Sequence, residues 1–161
     1  MIDSEAHEQG VEGGAISDGL MKWVLQQADR ARQNGETLIA GIHRPLLAHQ
    51  SGARSASFNG TIHNSSEIAR QFANAGLSYF FTGHMHETDV AQYTSPEGNW
   101  LLDMETGSLV TYGAPIRTAT VEGGQITLQS ESVKEITWQG QRIDYQEHLR
   151  QSLFSETAFA H

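Results

Sequence analysis

Apolar positions that recur every three or four residues predict a helix near the start of the chain. The pattern covers residues 18–34, with Ser17 placed to cap the first turn and Gly35 placed to end the last one. Trp23 is predicted to extend the buried face of this helix. The apolar stripe itself consists of Leu20, Met21, Val24, Leu25, Ala28 and Ala31. Such a stripe is typical of a helix that packs against a sheet.

Two short apolar runs further along predict strands joined by a second helix. Residues 37–42 read as a strand covered on both faces, and residues 77–82 form a similar run. Between them, Asn64 and Glu67 have capping-box spacing, and the helix that they begin is predicted to end at Gly76. Its apolar face would comprise Ile68, Ala69, Phe72 and Ala73. A βαβ unit has parallel strands, so both strands would end at the same sheet edge.

The remainder of the chain predicts a different arrangement. Residues 48–64 are polar and rich in Ser and Gly, which indicates a long loop. Four short strands, forming an antiparallel region, are predicted at 89–93, 100–105, 116–122 and 125–132, and Gly123-Gly124 is a hairpin signal. A weakly amphipathic helix is predicted over 141–154, followed by a frayed end at 155–161. The fold class expected is therefore α/β (α+β).

Histidines follow both strands of the βαβ unit. Gly83-His84-Met85-His86 ends the second strand, and His43 ends the first. Ligands in open α/β sheets bind at the carboxyl ends of strands, so His43, His84 and His86 are predicted to converge. Imidazole is the commonest metal ligand, and these three histidines are therefore the candidate metal ligands.

The other histidines are weaker candidates. His63 lies beside a helix start and could reach the mouth of the site, although a structural role is the better interpretation. Arg44 adjoins a candidate ligand and could contact a phosphate, but a surface salt bridge is the simpler reading. Solvated or loop positions are predicted for His7, His49, His148 and His161.

Composition excludes several classes of function. The chain has 161 residues and no cysteine, so it has neither disulfides nor thiolate metal ligands. A formal net charge of −9, with only 10 scattered Lys and Arg residues, disfavours a nucleic-acid-binding surface. No apolar segment is long enough to span a bilayer, and no signal peptide is recognisable. The compartment stays undetermined, because a lack of cysteine suits both the cytosol and the cell exterior.

These residues together resemble the C-terminal half of a calcineurin-like metallophosphoesterase domain. The resemblance covers about residues 1–133, and residues 134–161 would be a C-terminal extension. The matching segments, in family order, are Asp3-Ser4, Gly14-Ala15-Ile16-Ser17, Ile42-His43-Arg44-Pro45-Leu46, Phe81-Thr82-Gly83-His84-Met85-His86 and Glu105-Thr106-Gly107-Ser108-Leu109-Val110. Gly-His-x-His is the specific part of the match.

The resemblance implies part of a four-layer αββα sandwich that holds two divalent transition metal ions, Mn, Fe or Zn. His43 and His84 would bind one ion and His86 the other, and the substrate would be a phosphate ester. Two ions about 3.5–4 Å apart activate a water for attack on phosphorus. The monoester, diester or cyclic nucleotide nature of the substrate is left open.

The family also has Asp-x-His, Gly-Asp and Gly-Asn-His motifs, none of which occurs here, and Gly98-Asn99 is followed by Trp100. No catalytic residue is therefore assigned. We expect a fragment that is not fully active alone and that pairs with a missing N-terminal half or self-associates. Two alternatives stay open, a single metal ion held by the three histidines and a non-catalytic half-domain that serves as an interaction module.

Overall fold

The computed structural model describes residues 1–4, 14–49, 60–123 and 125–157 of the chain. Most of the predicted 48–64 loop, Gly124 and the last four residues lie outside these ranges. The chain divides into two compact units, Met1–Glu105 and Thr106–His161. The predicted boundary after residue 133 falls within the second unit. Both units mix helices with small sheets, which confirms an α+β fold class in general terms.

The described residues of the first unit form two helices and one four-stranded sheet. In chain order its elements are α1 (Asp18–Asn34), β1 (Ile39–Gly41), α2 (Ser65–Asn74), β2 (Tyr79–Thr82), β3 (Asp89–Thr94) and β4 (Trp100–Glu105). The spatial order of the strands is β1-β2-β4-β3. β1, β2 and β4 run parallel, and only β3 is antiparallel to its neighbour. The predicted βαβ unit is thus confirmed.

One part of the topology differs from expectation. Residues 100–105 were assigned to an antiparallel region, but β4 lies beside β2 and runs parallel to it. The hairpin from β3 to β4 explains this: β3 reverses direction after the His84 turn, and β4 reverses again. Local pattern cannot show which neighbour a strand chooses. β4 therefore ends at the same sheet edge as β1 and β2.

Helix α1 has the predicted ends. Ser17 Oγ accepts a hydrogen bond from the amide of Leu20 at 3.3 Å, and Gly35 adopts a left-handed conformation with φ 68°. Val24, Ala28 and Ala31 are buried, as the spacing predicts. The prediction for Trp23 is wrong, because half of that residue is exposed (50%). Trp23 directly precedes Val24 on the helix, about 100° around the axis, and so points away from the core.

Helix α2 forms where predicted, but not by the predicted cap. Asn64 has a left-handed backbone (φ 55°) and its side chain makes no capping hydrogen bond; the Asn64 carbonyl accepts the amides of Glu67 and Ile68 instead. The Glu67 carboxylate pairs with Arg70 at 2.8 Å. Gly76 follows the helix with φ 82°, close to the expected stop. All four predicted core residues of α2 are buried.

Both helices contribute to one hydrophobic core with one face of the sheet. Phe72 is fully buried and stacks on Phe80 with ring centroids 5.4 Å apart. Ala40, Phe80 and Leu101 lie on this covered face, which strand alternation separates from Ile39, Tyr79 and Leu102. Ile39 is 40% exposed, so the prediction that its strand is covered on both faces is wrong. A single parallel bridge joins Ile2 to Ile42 beside β1.

In the second unit, the residues that the structure describes form two hairpins and a helix. Strands β5 (Pro115–Glu122) and β6 (Gln125–Ser132) form the hairpin that the sequence predicts. β7 (Glu135–Trp138) and β8 (Gln141–Asp144) form a second hairpin that it missed, and only then does α3 (Tyr145–Thr157) begin. Asp144 Oδ1 accepts the amide of Glu147 at 3.0 Å, which starts the helix four residues later than predicted. Among the described residues, no helix is both long and apolar enough to cross a bilayer.

Candidate functional site

Two of the three predicted ligands meet at the carboxyl edge of the sheet. His43 follows β1 and His84 follows β2, and the amide of Gly83 donates to the His43 carbonyl at 3.0 Å. Their rings are edge to face with centroids 5.1 Å apart, and His43 Nε2 lies 3.3 Å from His84 Nδ1. The convergence of this pair follows from the parallel register of β1 and β2.

Arg44 extends the histidine pair into a chain of three polar groups. Its Nη1 lies 2.9 Å from His84 Nε2, and its own amide donates to Ser4 Oγ at 3.2 Å. A guanidinium only donates, so His84 Nε2 must accept and His84 Nδ1 must carry the proton that faces His43. In this arrangement the single lone pair of the neutral His84 ring is directed at Arg44.

Among the described residues, neither His86 nor His63 joins His43 and His84 in a group that could hold a metal ion. His86 is exposed and has a left-handed backbone with φ 59°, so the local strand geometry that would align it with His84 does not persist. His63 is also exposed, and its amide donates to the Gly14 carbonyl at 2.7 Å. It lines a surface groove beside α2 together with Asp18 and Glu67.

The structure reveals two buried carboxylates that the sequence analysis did not single out. Asp103 and Glu105 lie on one face of β4, and both are fully buried (0% exposed). Asp103 Oδ2 accepts the amides of Leu46 at 2.7 Å and Leu47 at 3.0 Å, and its Oδ1 accepts the Thr82 hydroxyl at 2.5 Å. Glu105 Oε1 accepts the amide of Met85 at 2.7 Å.

His49 closes this cluster: of the two predicted settings, solvated or loop, it has the loop position but a buried side chain. Its side chain is only 1% exposed, and its Nδ1 lies 3.2 Å from Asp89 Oδ2. Its Nε2 lies 3.3 Å from Asp103 Oδ1 and 3.9 Å from Glu105 Oε2, without the alignment of a hydrogen bond to either. His148, by contrast, is exposed as predicted.

Burial and charge move two pKa values in this cluster. Burial raises the pKa of Glu105 from 4.5 to about 7, against the opposing attraction of His49 and the amides of Met85 and Glu87. Burial alone would lower the pKa of His49, but Asp103, Asp89 and Glu105 outweigh it and raise that pKa above 6.5. Both ring nitrogens of His49 face carboxylate oxygens, which favours the imidazolium form.

The cluster of His49, Asp103 and Glu105 does not combine with the His43–His84 pair into one metal site. Within the described ranges, no three His, Asp or Glu side chains are grouped so that they could hold a metal ion. The sequence carries no signal for this burial: acidic residues alternate with apolar ones at Asp103 and Glu105, a pattern that by itself indicates a strand whose carboxylates face solvent. Once buried, such carboxylates need hydrogen-bond partners, and both have them here.

Comparison with known proteins adds no assignment. No family model matches this chain, and no curated protein matches it. The sequence motifs and the geometry of the two clusters are therefore the basis for a function.

Proposed function

We propose that this chain supplies part of the metal centre of a metal-dependent phosphoric ester hydrolase of the calcineurin-like type. The observation that carries the proposal is the His43–His84 pair. Two imidazole nitrogens bound at about 2.1 Å to one ion in tetrahedral geometry are about 3.4 Å apart. The facing nitrogens of His43 and His84 are 3.3 Å apart, a separation that suits two ligands of one ion.

The donor set fits a divalent transition metal with one rearrangement. His84 Nδ1 can coordinate only after its proton moves to Nε2, and Arg44 then has to withdraw because a guanidinium cannot accept a hydrogen bond from the Nε2–H group. Withdrawal also removes a positive charge from the neighbourhood of the incoming cation. Arg44 is half-buried at the rim of the site, so the movement requires no opening of the core.

His86 is proposed as a ligand of a second ion, as the family resemblance implies. It lies on the same turn as His84, on the solvent side, where a second ion could approach. When bound, the metal ions would activate a water for attack on phosphorus and stabilise the negative charge that develops on the phosphate oxygens. The histidines orient that centre, and the phosphate ester is the substrate.

The chain is proposed to be incomplete as a catalyst. The Asp-x-His, Gly-Asp and Gly-Asn-His motifs that would provide further ligands and a catalytic histidine do not occur in its sequence. The covered face of the four-stranded sheet carries α1 and α2. On the opposite face Tyr79, Phe81 and Leu102 are only half-buried, and Met104 is the fully buried residue among them. In a four-layer αββα sandwich this opposite face would pack on a second sheet, provided by another chain or another copy.

Metal titration tests the proposal directly. Titration calorimetry with Zn²⁺ and Mn²⁺ should show binding that weakens at least about tenfold in His43→Ala and in His84→Ala, since each removes one ligand. His148→Ala, which removes an exposed histidine of the second unit, is the matched control and should bind as the unmodified chain does. His86→Ala should affect only the second ion.

Hydrolysis of an aryl phosphodiester provides the second measurement. The chain alone should be slow, and any metal-dependent rate should disappear in His84→Ala. Identical metal affinities for the unmodified chain, His43→Ala and His84→Ala would contradict the proposed site. One ion per chain that requires all three histidines would favour a mononuclear site instead.

A further inference from the structure

The turn that carries His84 has an unusual backbone. His84 and His86 both have positive φ angles, 77° and 59°, which are uncommon for residues with a side chain. The amide of Met85 also donates to the Gly83 carbonyl at 3.0 Å, so the backbone closes on itself across His84. This i to i+2 hydrogen bond with a positive central φ is the rare and strained form of γ-turn. Such a conformation persists only where surrounding contacts hold it.

Glu105 provides the contact that holds this turn. Its Oε1 accepts the Met85 amide at 2.7 Å, and Met85 lies between the two strained histidines. The carboxylate is fully buried at the end of β4, which is paired with β2 in parallel register at Thr82 and Glu105. Glu105 therefore ties the turn after β2 to the neighbouring strand.

Asp103 holds the turn after β1 in the same way, by accepting hydrogen bonds from backbone amides of that turn. Its Oδ2 accepts the amides of Leu46 and Leu47, which follow His43 by three and four residues. Its Oδ1 is fixed by the Thr82 hydroxyl. The two carboxylates are two residues apart on one strand face, and each binds the backbone of one histidine-bearing turn.

We infer that Asp103 and Glu105 are positioning residues whose hydrogen bonds to the two turns set the spacing of the His43–His84 pair. His49 supports both carboxylates, because its ring lies between them and Asp89 and reduces the repulsion among the three acidic groups. The inference deepens the proposed function and depends on it only for what the paired histidines bind. Neither carboxylate has to touch metal or substrate.

Nuclear magnetic resonance tests the positioning role without any metal. Rings with centroids 5.1 Å apart should give proton–proton Overhauser effects between His43 and His84. Glu105→Ala should abolish these effects and speed exchange of the Met85 amide roughly threefold to tenfold, as expected for loss of one hydrogen bond. Glu105→Gln keeps an acceptor oxygen and should retain both signals. Asp29→Ala, which removes an exposed carboxylate on α1, is the control.

Variants of Asp103 test whether its hydrogen bonds also set the contacts between the His43 and His84 rings. Asp103→Ala should abolish the ring contacts. Asp103→Asn should restore them, since its oxygen can accept the two loop amides while its NH₂ group donates to Thr82 Oγ1. If an alanine variant does not fold, a through-hydrogen-bond scalar coupling between the Met85 amide nitrogen and the Glu105 carboxyl carbon in the unmodified chain tests the same contact. Its absence would overturn the inference.

Co²⁺ titration, followed by visible absorption, separates this inference from the proposed function. If the alanine variants lose both the ring contacts and Co²⁺ affinity, the positioning role and the proposed metal site are both supported. If they lose the ring contacts while no form of the chain binds Co²⁺, the metal site is refuted and the positioning role stands. A folded Glu105→Ala variant that keeps the ring contacts and the Met85 protection would overturn the positioning role. Loss of the contacts in Glu105→Gln would overturn the hydrogen-bond explanation.

Discussion

The stability of the first unit should fall as pH rises, because Glu105 is buried. The pKa of this carboxyl is about 7 in the folded protein, against 4.5 for an ordinary glutamate. Between these pH values the folded state keeps a proton that the unfolded chain has released. Stability therefore decreases with increasing pH across this interval, and the loss is complete once the folded carboxyl is ionised.

The size of the effect follows from the same two pKa values. One pH unit is worth about 1.4 kcal/mol, so the interval from 4.5 to about 7 corresponds to about 3 kcal/mol. The pKa of His49 is raised above 6.5, so the loss of its proton at higher pH lowers stability further in the same direction. The two groups titrate as a coupled pair, since Glu105 Oε2 lies 3.9 Å from His49 Nε2.

Glu105→Gln is the informative variant. The amide keeps an acceptor for Met85 and removes the titrating proton, so the variant should gain stability relative to the unmodified chain as pH rises from 5 to 8. The measurement is urea unfolding at half-unit pH steps, followed by circular dichroism. Exposed Glu122→Gln on β5 is the control and should preserve the parent pH profile. Parallel pH profiles for the unmodified chain and Glu105→Gln would refute the reasoning, because the profile would then not arise from Glu105.

Three further predictions concern the core and the rim of the site. Phe72→Ala should destabilise the first unit by about 3–5 kcal/mol in denaturant unfolding, because it empties a fully buried site against Phe80. Trp23→Ala, at a half-exposed residue, should change stability by less than about 1 kcal/mol, and equal effects of the two variants would contradict the assigned core. Gly14→Ala should shift the Arg44 side-chain resonances, because an added Cβ would lie 2.0 Å from the Ser4 carbonyl oxygen and 2.5 Å from Arg44 Cδ. Unchanged Arg44 resonances would contradict that packing. Arg44→Gln should strengthen Zn²⁺ binding in calorimetry, because it removes a cation beside His84 Nε2 and leaves an amide oxygen that can accept a hydrogen bond from the Nε2–H group. Weaker binding would show that Arg44 supports the site rather than competes for it.

Local sequence signals identified the elements of the first unit well. Ser17 and Gly35 bound a helix because a hydroxyl cap and a left-handed glycine act within one turn, and the same residues do so in the structure. The parallel pairing of β1 with β2, and hence the approach of His43 to His84, followed from the length of the helical connection between them.

The failures concern contacts between residues far apart in sequence. His49 looked like a loop residue, and its burial depends on Asp103, which lies more than fifty positions away on a strand whose neighbours pattern alone cannot predict. The predicted helix over 141–154 wrongly includes β8, and no strand is predicted at β7, because four-residue strands carry too little periodicity to distinguish them.

By itself the sequence determined the helices and strands of the first unit, and it placed two histidines at one sheet edge, because caps, periodicity and the length of a βα connection are local properties. Only the tertiary structure decided that β4 inserts beside β2 and carries Asp103 and Glu105 beneath the two histidine-bearing turns. Strand order depends on which buried faces and hydrogen-bonding edges fit together across the whole unit. The spacing of the histidine pair therefore belongs to the fold, although the histidines themselves can be read from the chain.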